Sequence, residues 1–280
     1  MKNIIVGIDF SENSINAMRH ATAIALKNNA NLHLVWVKTP GVAKGLVKNN
    51  ESEFIKKANE QLRNFIKICK SEAINSEVQS VILEGIPYLE IPKYAANLKD
   101  STIVIGTHGV SGFVETFAGS NAFKIVTASK VPVLVLRENI KINRDLIEIL
   151  VPIDDSFETL QKVRLAIDFA KIFSAKICLA GFSTKGNKQE KYIVSIQLNH
   201  AEAMCQEANV RYCTVKQDFK GFIANAIVSF ASEKDVNLMC IMRETDSDEV
   251  WLKSTTQQLL NSSPMPLVIF PNQKTLSVSK

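Results

Sequence analysis

Ile5-Val-Gly-Ile-Asp-Phe-Ser11 returns as Leu150-Val-Pro-Ile-Asp-Asp-Ser156, 145 residues further along the chain. The register persists beyond the seven-residue match: Ala21, Ala25, Ala30 and Leu32 fall on Ala166, Ala170, Ala175 and Ile177 at the same offset. Near the other end, Ser129-Lys-Val-Pro-Val-Leu-Val-Leu136 answers Ser263-Pro-Met-Pro-Leu-Val-Ile-Phe270. Self-similarity of this kind means a repeated structural unit. It predicts two tandem domains, 1–139 and 147–273, joined by a polar stretch around Glu138 to Ile147 too short to act as a free tether.

Within the first half, Asn3 to Ile8 is an apolar, β-branched run of the kind that forms a parallel strand buried on both faces. Ser11 or Ser14 is placed to cap a helix that carries Ile15, Met18, Ala21, Ala25 and Leu26 at helical spacing and stops at Asn28-Asn29. Leu32 to Val37 reads as a strand, Ser52 to Ser71 as a helix and Val78 to Leu83 as a strand. Tyr88 to Leu98 reads as a helix despite Pro92, Thr102 to Ile105 as a strand, Asn121 to Thr127 as a helix and Val131 to Leu136 as the closing strand. Strict alternation of strands and helices predicts an α/β fold in each half, a mostly parallel doubly wound, Rossmann-like sheet with helices on both faces.

A length of 280 residues suits two cores, and 46% hydrophobic with 22% charged residues excludes collagen-like or largely disordered chains. The longest apolar runs fall far short of the roughly 18 to 20 residues that span a bilayer, and Asp9 interrupts the N-terminal run before a secretory core could form. Cys69, Cys178, Cys205, Cys213 and Cys240 are an odd number without a C-x-x-C pair and read as reduced, mostly buried thiols, so a cytoplasmic location is expected and no metal ligand is assigned. The net charge of +5 is spread along the chain rather than gathered in a basic block, which points away from nucleic acid as well as membrane partners.

The segment Ile105-Gly-Thr-His-Gly-Val-Ser-Gly-Phe-Val-Glu-Thr-Phe-Ala-Gly-Ser-Asn121 follows a strand and leads into a helix. Its Gly106, Gly109, Gly119 and Ser120 permit positive φ and close backbone approach, and the N–H groups of a helix start suit a phosphate. The alternative is plain architecture, with Gly106, Gly109 and Gly112 turning the chain out of a strand and Ser120 capping a helix. Asp9, at the carboxyl end of the first strand, faces the crevice where doubly wound sheets bind ligands and is able to accept hydrogen bonds from ribose hydroxyls; it also reads as a helix-capping aspartate. Val37 offers either an apolar wall to a base or plain core, and His108, without a serine and aspartate partner, reads as a loop histidine.

These residues resemble the universal stress protein family in its tandem form, through Val6-Gly-Ile-Asp-Phe-Ser11, the Gly106/Gly109/Gly119-Ser120 motif and the closing Val131-Pro-Val-Leu-Val135 strand. The resemblance covers nearly the whole chain. It implies a sheet of strand order 3-2-1-4-5 in each half and a last strand that mediates pairing, here within the chain as a pseudo-dimer of the two domains or between chains as a homodimer or larger homo-oligomer. In the ATP-binding branch of the family the ligand is held by the glycine motif, the first-strand aspartate and the end of the second strand. Those roles fall here on Gly7, Ile8, Asp9, Val37, Gly106, Gly109, Gly119, Ser120 and Asn121. The cofactor implied is ATP or another adenine nucleotide, with or without Mg.

The second half departs from that pattern, with Met242, Thr245 and Lys253 opposite the three glycines and Glu244, Asp246, Asp248 and Glu249 in the interval. Such a loop repels a polyphosphate unless a metal intervenes, and a solvated acidic loop is the simpler reading. Asp154 survives as a cap candidate. The sequence therefore predicts a stress-response nucleotide-binding protein whose second domain is a structural or regulatory copy. No catalytic residue is assigned, because the motif region supplies neither an arginine nor an evident base for hydrolysis. A slow ATP hydrolase of the adenine-nucleotide hydrolase type and a nucleotide-free interaction protein are the alternatives.

Overall fold

The computed structural model describes residues 1–39, 51–72, 77–106, 120–136, 148–156, 159–234, 236–243 and 255–271. The chain divides into two compact units, the first made of Met1–Leu146 with Met265–Leu267 and the second of Ile147–Pro264 with Val268–Lys280. The first unit runs β1 (Asn3–Ile8), α1 (Glu12–Asn28), β2 (Asn31–Lys38), α2 (Glu51–Ser71), β3 (Val78–Glu84), α3 (Pro87–Ala96), β4 (Ser101–Gly106), α4 (Ser120–Ala128) and β5 (Val133–Leu136). Its strands lie in the order β3-β2-β1-β4-β5, each neighbouring pair parallel. The chain thus leaves β1 first to one side and then, after α3, to the other, which opens a crevice at the carboxyl ends of β1 and β4.

Helices cover both faces of this sheet for a reason visible in the register. Val6 stands beside Val104, so Ile8 and Gly106 share one face while Gly7 and Ile105 share the other. A Cβ added at Gly106 would meet Asn13 of α1, whereas one at Gly7 would meet Ile91 of α3. Between the layers Ile4, Ile5, Val6, Leu32, Leu34, Val35 and Ile103 have no solvent exposure, as a strand buried on both faces requires.

The second unit runs β6 (Glu148–Ile153), α5 (Thr159–Phe173), β7 (Lys176–Thr184), α6 (Lys188–Glu207), β8 (Tyr212–Phe219), α7 (Ile223–Glu233), β9 (Leu238–Met242), α8 (Thr255–Ser262) and β10 (Leu267–Phe270). Its order, β8-β7-β6-β9-β10, is the same winding. The repeat read from the sequence is physical down to single hydrogen bonds. Asn29 closes α1 in the left-handed conformation at φ 49°, and Ser174, 145 positions later, does the same for α5 at φ 53°. The amide of Ala30 donates to the Ala25 carbonyl at 3.1 Å, and that of Ala175 donates to Ala170 at 2.9 Å. A left-handed residue at the helix end is the ordinary way to satisfy the last carbonyls and turn the chain into the next strand.

Element boundaries moved where local hydrogen bonding intervened. Residue 131 does not begin β5, because its amide donates to the Ser129 hydroxyl, which in turn donates to the Val131 carbonyl, folding the segment into a turn. The third helix starts at Pro87, where a missing N–H costs nothing, and ends at Ala96 with Asn97 as its cap rather than running to Leu98.

Candidate functional site

The crevice of the first unit is framed by the turn after β1 and the end of β4. Ser11 caps α1, its hydroxyl accepting from the Ser14 amide at 3.2 Å. Asp9 braces that cap: its Oδ1 accepts from the Ser11 amide at 3.0 Å and from the Ser11 hydroxyl at 2.5 Å, and its own amide donates to Ser14 Oγ at 3.3 Å. Asp9 therefore fulfils the capping role the sequence left open, and its side chain is at the same time exposed at the crevice. Both bonds fall on one carboxylate oxygen.

Between Asp9 and the helix, Phe10 adopts φ 65°, a left-handed conformation that is rare for a bulky residue. Its ring lies 5.9 Å from Trp36 and 6.1 Å from Phe65, and Trp36 packs edge-on to Phe54 at 5.7 Å. This aromatic cluster holds the strained turn that carries Asp9, an arrangement in which tertiary packing over-determines a costly dihedral. Sequence reasoning missed Phe10 and Trp36 as site-shaping residues; the one local signal was an aromatic side chain directly after the aspartate.

Gly106 does not serve the positive φ expected of it. It ends β4 in extended backbone, paired with Leu136, and the space its missing side chain leaves is taken by α1. A Cβ there would lie 2.9 Å from the Asn13 carbonyl oxygen and 3.0 Å from the Asn13 Cβ. Asn13 was also missed, yet its Oδ1 is buried without a hydrogen-bond partner among the described residues. An unmatched acceptor of this kind costs about 1 to 3 kcal/mol, so it marks a place where a donor belongs. Gly7 and Ile8 line the end of β1, and Val37 is nearly fully buried at the end of β2. Ser120 opens α4 and Asn121 follows it, exposed, in a first turn that carries no acidic residue. Gly109, Gly119 and His108 lie outside the described residues.

The corresponding place in the second unit is built alike and then closed. Oδ1 of Asp154 accepts from the amide of Ser156 at 3.1 Å and from its hydroxyl, and the Asp154 amide donates to Thr159 Oγ1 at 3.3 Å, matching Asp9, Ser11 and Ser14. Here, however, Lys162 stands where the first unit has Ala17, and its buried ammonium lies 3.7 Å from Asp154 Oδ2. Burial alone would raise the Asp154 pKa; the Lys162 charge and the bonds from Ser156 and Thr159 outweigh it and hold the carboxyl below its ordinary range. Met242 replaces Gly106 at the end of β9. Glu244, Thr245, Asp246, Asp248, Glu249 and Lys253 lie outside the described residues.

Comparison with known proteins gives a consistent result. The model of the universal stress protein family matches residues 1–137. The universal stress protein YxiE of Bacillus subtilis is 31% identical over 144 residues, 48% of this chain and 97% of the relative. A universal stress protein of Methanocaldococcus jannaschii is 28% identical over 142 residues, 49% of this chain and 82% of the relative. Among solved structures, a universal stress protein from Archaeoglobus fulgidus superposes with a TM-score of 0.77 over 97% of both chains at 20% identity, which carries the likeness of fold across both units. Among the described residues no helix is long and apolar enough to cross a membrane.

Proposed function

The chain belongs to the universal stress protein family, and on that premise we propose that it is a cytoplasmic stress-response protein whose first unit binds ATP or another adenine nucleotide. The observation that carries this reading is the exposed Asp9 carboxylate held at the end of β1 on the α1 cap, with Gly106 at the end of β4 packed against Asn13 of the same helix, whose buried Oδ1 has no hydrogen-bond partner among the described residues. The Asp9 carboxylate suits the hydroxyl donors of a ribose, and at the α4 start the N–H groups of Ser120 and Asn121 suit an anion. Gly109 and Gly119 are then the glycines that would leave the phosphates room, Gly106 letting β4 end close against α1, while Gly7, Ile8 and Val37 supply the apolar end of the crevice. The nucleotide would bring its own negative charge, with or without Mg, to a helix start free of acidic side chains.

Binding, rather than turnover, is the function proposed. The second unit, proposed as a structural or regulatory copy, keeps the Asp154 cap but has its carboxylate answered by an internal cation, Lys162. A bound nucleotide there would have to displace the ion pair between buried Lys162 and the partly exposed Asp154.

Calorimetric titration of the full chain with ATP tests this. One site per chain is expected, with binding abolished by Gly109→Glu together with Gly119→Asp, whose side chains fill the phosphate space with repelling charge. A stoichiometry near two, or affinity unchanged in that double variant, overturns the assignment. At ligand about a hundred times Kd the protein gains roughly 2.7 kcal/mol, and slowed hydrogen exchange should be confined to the turn after β1 and the start of α4.

A further inference from the structure

Two of the five cysteines, distant in sequence, meet at the amino-terminal end of the second sheet. Glu148 opens β6, Cys178 is the third residue of β7 and Cys213 the second of β8. The register places Leu150 beside Cys178 and Cys178 beside Cys213. Residues two apart in a strand share a face, so Glu148, Lys176, Cys178 and Cys213 all project from the same side of the sheet. Their donor atoms converge: one carboxylate oxygen of Glu148 and the two sulfurs lie within 4.8 Å of one another. The Cys213 thiol points at Glu148 Oε1 at 3.7 Å, and Lys176 Nζ lies 3.6 Å from that same oxygen.

We propose that Cys178, Cys213 and Glu148 form a binding site for a thiophilic divalent cation, zinc being the class that fits. Two thiolates and a carboxylate are the donors that borderline-soft Zn²⁺ takes, and hard cations such as Mg²⁺ and Ca²⁺ do not. Tetrahedral zinc with bonds of about 2.3 Å to sulfur sets its two sulfurs about 3.8 Å apart. The donor atoms, all within 4.8 Å of one another, stand within about 1 Å of that separation. Three protein donors leave the fourth position to water. The charge also balances: three anionic ligands around a divalent cation leave one negative charge, and Lys176 already stands against Glu148 to offset it. Glu148 and Cys213 are partly exposed while Cys178 is buried, so the site has a solvent route on one side and a fixed floor on the other.

In the free protein, burial pushes the Cys178 thiol up to about 12, with the neighbouring Cys213 and Glu148 adding to the rise. Metal uptake then releases protons, and affinity falls as the pH is lowered.

The test uses the full chain, reduced and stripped of metal with a chelator, titrated with Co²⁺ as a spectroscopic substitute and then with Zn²⁺. One equivalent of Co²⁺ should produce a thiolate-to-metal charge-transfer band that Zn²⁺ bleaches. Cys178→Ser and Cys213→Ser should each abolish the band, and Glu148→Gln should weaken affinity at least tenfold. Cys205→Ala, on a helix away from the cluster, should leave it intact. Cys213 lies on the partly exposed β8, so its serine variant keeps the test open if the buried Cys178→Ser does not fold. No band at stoichiometric metal, a band that survives Cys213→Ser, or a Cys178–Cys213 disulfide formed in air by protein that takes up no metal when reduced overturns the proposal. Loss of nucleotide binding in the first unit has no bearing on this outcome, since none of the three ligands belongs to that unit.

Discussion

His33 shows how a single buried group fixes a protonation state. Its Nε2 lies 3.3 Å from Asn3 Oδ1, which only accepts, so Nε2 carries the proton. Nδ1 is then the acceptor, its one lone pair within reach of both the Tyr94 hydroxyl at 2.8 Å and the Gln79 amide at 3.0 Å. Burial lowers the His33 pKa, and Glu77 only partly opposes it. A depressed folded pKa means that the unfolded chain protonates first. The stability that neutral His33 contributes is complete above the unfolded value of about 6.5 and is lost as pH falls toward the folded value. Urea unfolding followed by Trp36 fluorescence should give a lower midpoint at pH 5 than at pH 8. His33→Gln should reduce that difference; an unchanged difference would place the pH dependence elsewhere.

Among the elements, the two crevice glycines differ in what their missing Cβ protects. At Gly106 the obstacle is backbone, the Asn13 carbonyl oxygen at 2.9 Å in the first turn of α1, which is not the far end of a flexible side chain. Gly106→Ala is expected to cost about 1 to 3 kcal/mol, the range for overpacking. At Gly7 the nearest atom is the end of the flexible Ile91 side chain at 3.2 Å, so Gly7→Ala should cost less, under about 1 kcal/mol. Denaturant midpoints for the two variants decide it, and equal losses would contradict the geometric distinction. The same contrast marks the limit of what the sequence could say. The β1 strand Asn3–Ile8, the Ser11 cap and the Asn28-Asn29 stop were readable because each is written in neighbouring residues. The contact between Gly106 and Asn13, the cation Lys162 on Asp154 and the meeting of Cys178 with Cys213 were not, because each joins residues brought together only by packing or sheet register. The glycine motif was legible as spacing, while its first member proved to answer to helix packing as well.

At the scale of the whole molecule, each unit ends in a short strand that its own sheet pairs on one side only. In the first unit β5 follows β4 at the end of the order, and in the second β10 follows β9. Ile103 donates its amide to the Pro132 carbonyl at 2.9 Å; in a parallel ladder the bonding residues alternate, so Leu134 continues that pairing and the amide of Val133 points to the other edge. The sequence there is Val-Leu-Val-Leu, apolar and uncharged, the kind of edge that recruits another strand unless covered. The sequence repeat supplies an equivalent strand, Leu267–Phe270, in the same chain, and the pseudo-dimer expected from the sequence would use the two together. Separated from it, the fragment 1–139 is expected to form a homodimer, measurable by sedimentation at rising concentration. Val133→Pro should shift that fragment toward monomer, since proline deletes the outward donor while sparing the ladder to β4. The two prolines Val133→Pro and Val268→Pro in the full chain should enlarge its radius of gyration in solution scattering. A fragment that stays monomeric at high concentration, together with a full chain that keeps its compactness with both prolines, would mean that these strands are covered in another way and that the two units do not meet through them.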